Sequence, residues 1–346
     1  MTKILSKLLD LDNVLRKIKS ALVIPLSGGV LLIIILSLYA FKHFNQQINL
    51  KESSELEVKR GTTFRSLVNE INSRFVTSGG WMTFYGLRLV GYETKLKAGT
   101  YEVVPGESLW ALIKKIENSD TKNFYFTFIE GEKLSDIIQK LSANPTINSN
   151  KLVSLSNAEL NSFFGVKHPS MEGLFFPDTY SYSNNDTALS ILSRAKNKMD
   201  FVLKSEWDSR AKNSVVASPY KALILASIIE KETSVAYERE IISGVFSRRL
   251  QLGMRLQTDP TVIYGLGATF DGNIKKSHLA AYNPFNTYRI KGLPPTPIAM
   301  PGRASIRAAL TPSDGDELYF VSRGDGTHKF SSTLKEHSKA VLKYQR

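Results

Sequence analysis

At 346 residues, 42% of them hydrophobic, the chain is long enough for two modest domains plus accessory segments, because single cores stop growing before that length. The absence of cysteine excludes a disulfide framework, a thiolate zinc site and a thiol nucleophile. The net charge of +13 comes from 45 basic residues scattered among 32 acids, with no dense basic stripe or aromatic RNA-binding signature; this argues against a nucleic-acid partner and suits a polyanionic surface such as anionic lipid or cell-wall polymer.

Residues 1–20 form a short basic leader, and from Ala21 to Phe41 the chain runs ALVIPLSGGVLLIIILSLYAF without a charge. About 20 such residues cross a bilayer as a helix, and Pro25 and Gly28-Gly29 are tolerated there. Leu38-Tyr39-Ala40 makes a poor signal-peptide cleavage site, so the segment reads as a retained anchor. Lys3, Lys7, Arg16, Lys17 and Lys19 precede it while only Lys42 and His43 follow closely, which places the N-terminus in the cytoplasm and the rest of the chain outside the inner membrane. Residues 42–56 are polar and aperiodic, as a tether would be.

A pattern then recurs three times. GTTFRSLVNEI (Gly61–Ile71), GESLWALIKKI (Gly106–Ile116) and GEKLSDIIQKL (Gly131–Leu141) align without gaps. Apolar residues at positions 4, 7, 8 and 11 of each share one helix face, and the glycine with its polar followers reads as a turn entering that helix. The preceding GTYEVVP (Gly99–Pro105) and NFYFTFIEG (Asn123–Gly131) are rich in β-branched and aromatic residues and read as strands. Small strand-helix modules are therefore expected over 57–154. Within them VPGESLWALIKKI (Val104–Ile116) resembles the LysM module, which binds N-acetylglucosamine-containing glycans. Leu109, Trp110, Leu112, Ile113 and Ile116 also read as core positions, and Trp110 is expected to pack rather than to stack on sugar.

From about Leu155 longer helical patterns alternate with loops dense in Pro, Gly, Thr and Tyr, so a second, larger mixed α+β domain is expected over 155–346. In MEGLFFPDTYSY (Met171–Tyr182), Glu172 and Asp178 flank the aromatics Phe175 and Phe176 and Pro177; this suits either a carbohydrate cleft or an ordinary core segment. In SPYKALILASIIEKETSVAYERE (Ser218–Glu240), Ser218-Pro219 starts a helix that is apolar on almost every side from Ala222 to Ile229. Glu230 ends that run, at the edge of an apolar region from which general acids for glycosidic oxygens are drawn. Glu232 falls roughly 200° round the helix, so the two acids cannot share one target. The bland alternative leaves Glu230 as a helix-end carboxylate paired with Lys231 or Arg239. In RLQTDPTVIYGLG (Arg255–Gly267), Gln257, Thr258 and Asp259 either cap a helix or supply acceptors to a cleft. YNPFNTYRIKGLPPTPIAMPG (Tyr282–Gly302) has five prolines and reads as a loop, and ELYFVSRGDGTHKFSST (Glu317–Thr333) as a strand-turn unit before a terminal helix, with His328 a turn residue. No metal-ligand, cofactor or phosphate-loop spacing stands out.

Taken in order, EGLFFPDTY (Glu172–Tyr180), ASIIEKET (Ala226–Thr233), LQTDPTVIYG (Leu256–Gly265), YNPFNTY (Tyr282–Tyr288) and GLPPTPI (Gly292–Ile298) resemble the endolytic murein transglycosylase (YceG-like) family. One departure is Phe285, where members usually carry Tyr. The resemblance implies cleavage of MurNAc-β-1,4-GlcNAc bonds in nascent peptidoglycan strands, with peptidoglycan synthases as partners and no cofactor. It also implies that the catalytic Glu of the IEKET motif falls on Glu230. One carboxyl suffices for such a reaction: it protonates the leaving oxygen, then takes the proton of the muramyl C6 hydroxyl as that oxygen closes a 1,6-anhydro ring on C1. From their places in the motifs, Glu172, Gln257, Asp259, Asn286 and Tyr288 are expected to bind substrate. Two other functions fit the same residues: a non-catalytic, membrane-anchored scaffold that binds peptidoglycan, and a hydrolase with Asp259 or Glu172 as base.

Overall fold

The computed structural model describes residues 29–184, 186–212 and 214–345. The leader 1–20 and the first part of the expected membrane segment, 21–28, lie outside them. The remainder of that segment enters helix α1 (29–44), whose large apolar side chains from Val30 to Phe41 are exposed. Among the described residues no helix is long and apolar enough to cross a membrane.

The chain divides into two compact units at Asn123/Phe124. In the first, β1 (Ser54–Val58) pairs antiparallel with β2 (Gly99–Val103), Leu56 opposite Tyr101, and helices α2 (Phe64–Phe75), α3 (Gly80–Leu89) and α4 (Leu109–Asn118) complete it. The core gathers Leu56, Leu67, Ile71, Leu87, Tyr101, Leu112 and Ile113, all fully buried. Residues 42–56, expected as a tether, belong to this unit instead. Ile48 is buried in the core, its amide donates to Glu107 O at 2.8 Å, and the stretch ends in β1. The isolated apolar residues of a mostly polar segment find partners only once the sheet exists.

The second unit begins with the third repeat. Strand β3 (Phe124–Thr127) pairs with β4 (Thr179–Tyr182), Phe126 opposite Tyr180, and α5 (Leu134–Ala143) buries Ile137 and Leu141 in the same core as Phe175 and Leu189. The division therefore falls before the third repeat, not near Leu155, because the partner of β3 lies some fifty residues downstream, a pairing that local pattern does not reveal. The repeat itself is realised three times over. Gly61, Gly106 and Gly131 have φ of 86°, 80° and 79°, the left-handed turn that glycine adopts without penalty, and a helix starts three residues after each.

Short helices α6 (Asn150–Ser154) and α7 (Asn157–Phe163) lead to the long α8 (Ala188–Asp208) and to α9 (Pro219–Glu232), the centre of this unit. The Ser218 hydroxyl caps α9 by accepting from Lys221 N, with Pro219 in the first turn. Every residue from Ala222 to Ile229 is buried. Ser227, the lone polar side chain of that run, donates to Ile224 O at 2.7 Å and accepts from Ile298 N at 3.0 Å, so no polar group is left bare in the core. Around α9 stand α10 (Glu238–Gln251), α11 (Asp259–Leu266) and α13 (Arg303–Leu310); the short α12 (Lys276–Ala280) lies in the loop before α13. The hairpin of β5 (Tyr319–Ser322) and β6 (His328–Ser331) carries α14 (Leu334–Tyr344) against it. The fold is α+β, with three two-stranded antiparallel sheets among the described residues.

Candidate active site

The end of α9 sends its two glutamates into different surroundings. Glu230 meets protein on both oxygens: Gly302 N donates to Oε2 at 2.9 Å, and the Arg239 guanidinium stands 3.6 Å from Oε1. Its side chain is 6% exposed. Beside it the Glu130 carboxyl packs against Gly302, where a methyl group would overlap it, and burial together with the charge of Glu230 holds Glu130 above the usual carboxylate range. Lys231 adds a hydrogen bond from Nζ to Gly131 O at 3.2 Å. Glu230 thus joins α9 to the start of α13, with Arg239 as its counter-ion.

Glu232 opens on space instead. It lines a cavity of about 480 Å³ together with Arg249, Gln257, Thr258, Asp259, Tyr288 and His328. The Thr258 hydroxyl donates to Glu232 Oε1. Burial pushes the Glu232 carboxyl up to about 7; the charge of Asp259 adds to the rise, while the Thr258 hydrogen bond and the proximity of His328 and Arg249 oppose it.

The wall of this cavity is made by two of the motifs. Gln257 takes a left-handed φ of 53°, and its amide donates to Thr287 O at 3.2 Å. Thr258 N donates to Thr287 Oγ1 at 3.0 Å, which lies 2.8 Å from Thr261 Oγ1. The QTDPT turn is thereby stitched to the FNTY loop. Tyr288 then donates its hydroxyl to Asp259 Oδ1 at 2.6 Å, and burial raises the phenol far above its ordinary value. Beside the QTDPT turn Arg249 is anchored through Nη1 to Leu256 O at 2.7 Å and through Nε to Leu318 O at 2.6 Å. His328 Nδ1 lies 2.7 Å from Glu238 Oε2 and its amide donates to Glu238 Oε1 at 2.8 Å, so a fully buried carboxylate fixes the ring.

Of the six residues expected at a site, Gln257, Asp259 and Tyr288 line this one cavity, and Glu230, Glu172 and Asn286 are not among its lining residues. Glu172 is buried, accepts from Leu134 N at 2.9 Å and from the Tyr264 hydroxyl at 3.1 Å, and has its carboxyl pushed up to about 7 by burial. Asn286 is buried with its amide nitrogen 2.7 Å from Ala281 O and near His278 O and Leu279 O, while its oxygen accepts from Tyr288 N at 3.0 Å. It braces the loop that presents Tyr288. Thr258, which was read as either a helix cap or a cleft acceptor, lines the cavity, and Glu232, Arg249 and His328, which were not expected at the site, line it too. For Glu232 the helical angle was legible, but what lay on that side of α9 was not. Among the described residues no group of three or more His, Asp or Glu stands ready to hold a metal ion.

A sequence profile described as the YceG-like family matches residues 56–343. The endolytic murein transglycosylase of Bacillus subtilis is 35% identical over 265 residues, which cover 72% of this chain and 73% of that protein. The endolytic murein transglycosylase of Streptococcus pneumoniae strain D39 is 24% identical over 330 residues, covering 86% of this chain and 59% of its own length. A crystal structure of a yceG-like protein from Listeria monocytogenes superposes with a TM-score of 0.52 at 29% identity, covering 84% of this chain and all of that one.

Proposed function

The chain belongs to the YceG-like family, and from that premise we propose that it is an enzyme of peptidoglycan, an endolytic lytic transglycosylase that cuts MurNAc-β-1,4-GlcNAc bonds within nascent strands and leaves 1,6-anhydroMurNAc ends. The names of its relatives support the class of reaction. The observation that carries the chemistry is the position of Glu232 on a polar cavity with a carboxyl pushed up to about 7.

A carboxyl with that proton affinity holds its proton in an appreciable fraction of molecules at neutral pH and can also release it, as an acid that later serves as base must. In the proposed reaction Glu232 protonates the glycosidic oxygen as the C1–O bond breaks. The resulting carboxylate takes the proton of the muramyl C6 hydroxyl while O6 bonds to C1. No water enters the product. Gln257, Asp259 and Tyr288 offer an amide, a carboxylate and a phenol to sugar hydroxyls along one wall. Glu172 and Asn286, expected to bind substrate, are better accounted for as braces.

We propose Glu232, two residues beyond and roughly 200° round α9, as the bearer of the acid and base role in place of Glu230, on which the family resemblance places it. The Glu230 assignment keeps one observation in its favour, a second carboxyl beside it, that of Glu130, which burial and the charge of Glu230 hold above the usual range. Against it, both oxygens of Glu230 are already engaged by Gly302 and Arg239. Separate Glu230→Gln and Glu232→Gln variants, assayed by mass spectrometry of products from newly polymerised, uncrosslinked glycan, decide between the two. Anhydro-muramyl ends support the lyase, reducing ends a hydrolase using Asp259, and intact strands from the native chain a non-catalytic scaffold.

We propose also that the run Ala21–Phe41 anchors the chain in the inner membrane, with the N-terminus cytoplasmic, and that peptidoglycan synthases are its neighbours there. The charge-free length of that run and the excess of Lys and Arg before it support the topology. Alkali extraction of membranes from cells making the chain tests the anchor: an integral protein stays in the pellet, and release into the supernatant contradicts it.

A further inference from the structure

Helix α3 is fixed alongside the end of α1 by specific contacts, yet it leaves an apolar stripe uncovered. On its inner side Thr83 Oγ1 lies 2.8 Å from His43 Nε2, the Phe44 ring presses on Gly86 so closely that a Cβ there would come within 2.8 Å of it, and Met82 and Leu87 are buried. On its outer side Trp81, Tyr85 and Leu89 follow one another at i, i+4 and i+8, and are 53%, 61% and 88% exposed. The Trp81 ring stacks on Tyr39 of α1 at 6.0 Å, which makes the stripe continuous with α1 across an apolar groove of about 780 Å³.

An apolar surface of this extent needs a cover. A second copy of the chain would cover one side of α1. Leu31, Leu32, Ile33 and Ile34 are consecutive and all exposed, so they point to every side of the helix at once, and only a surrounding apolar medium buries them together. The stripe on α3 lies beside that helix, near the end where Lys42 begins the polar sequence, and it carries Trp and Tyr, the side chains that settle where hydrocarbon meets headgroups.

We propose that the Trp81–Tyr85–Leu89 stripe of α3 is seated in the interface of a phospholipid bilayer, so that the first unit is held against the membrane at two places, α1 and α3. This rests on the proposal that α1 enters the bilayer. A membrane-seated α3 restricts rotation of the unit about its anchor, which a single helix would leave free.

The chain contains no cysteine, so Leu89→Cys can be labelled uniquely with an environment-sensitive fluorophore, and Leu334→Cys on exposed α14 serves as a reference. Both full-length variants are reconstituted into vesicles of phosphatidylethanolamine and phosphatidylglycerol, with and without lipids brominated near the headgroup end of the acyl chain. The expected result is a label at position 89 that is blue-shifted relative to the same label at exposed position 334 and loses most of its emission to bromine. If the protein floats with the vesicles but the label at 89 reports water and escapes quenching, the inference is overturned and the anchor stands. If the protein does not float, the anchor and the inference fail together. If the label at 89 is shielded but unquenched and the vesicle-bound chain crosslinks to itself, a second copy covers the stripe and the inference is overturned. Trp81 emission in a chain carrying Trp110→Phe and Trp207→Phe gives a second readout that does not depend on a label, with quenching expected and its absence contrary.

Discussion

The hydroxyl of Thr258 donates to the carboxylate of Glu232, tying the QTDPT turn to the last turn of the central helix. Two motifs that lie apart in the sequence thus meet at one proton-carrying atom pair. The bond favours the ionised carboxyl and so restrains the rise that burial imposes.

Thr258→Val removes that restraint while keeping the shape of the side chain. The Glu232 carboxyl then holds its proton to higher pH. If Glu232 is the acid, the falling alkaline limb of the pH–rate profile moves upward relative to the native chain. A limb that stays in place, measured with release of soluble muropeptides as the readout, separates Glu232 from the rate-limiting protonation.

The same carboxyl sets a pH dependence of stability. Its value in the folded chain, about 7, lies above the ordinary 4.5, so folding binds protons between those values. The stabilising effect is complete below pH 4.5 and is lost as pH rises through 7. Glu232→Gln, which stays neutral, is therefore expected to be more stable than the native chain at pH 8 by roughly 2–3 kcal/mol, and nearly equal to it at pH 4.5. Urea unfolding at the two pH values measures the difference; an equal or lower stability of the variant at pH 8 contradicts the assignment of a buried, strained carboxyl.

How much of this could be read in advance differs from element to element. The three glycine turns and their helices were legible because each is local: one left-handed residue, one cap and four apolar positions specify it. The burial of α9 was legible from its apolar run, and the motifs singled out Gln257, Asp259 and Tyr288, which line one cavity. The β3–β4 pairing was not, nor was the inclusion of residues 42–56 in the first unit, because the partners are remote. The different surroundings of Glu230 and Glu232 were not legible for the same reason. Helical spacing shows that they diverge, but only tertiary contacts place Arg239 and Gly302 on one side and the Thr258 cavity on the other.

Arg239→Met tests the structural role given to Glu230. Removing the guanidinium leaves the poorly exposed Glu230 carboxyl without its counter-ion and beside the Glu130 carboxyl, at a cost of about 3 kcal/mol. Thermal unfolding should show the loss, and adding Glu230→Gln in the same chain should recover part of it. A fully additive double variant argues against coupling.

Trp110→Ala is expected to harm the first unit more than any contact with glycan. The ring is half-buried, edge-on to Phe44 and Tyr92 at 5.8 and 5.7 Å, with Lys114 Nζ 5.1 Å from its centre. The expected loss is about 3 kcal/mol, the low end for truncating a large aromatic, because burial is partial. Unchanged melting together with lost binding to glycan strands would reassign Trp110 to a sugar-stacking role.

The most direct measurement compares Glu232→Gln with Glu230→Gln on uncrosslinked glycan, with anhydro-muramyl ends counted by mass spectrometry. Loss of the general acid and base should lower the rate of Glu232→Gln by about 10²–10⁴-fold or more while its folding is retained. Glu230→Gln, once its folded fraction is matched, should keep turnover within about tenfold of the native chain. If Glu232→Gln releases anhydro-muramyl ends at a near-native rate while Glu230→Gln releases none, the catalytic assignment drawn from the cavity is wrong and the role returns to Glu230.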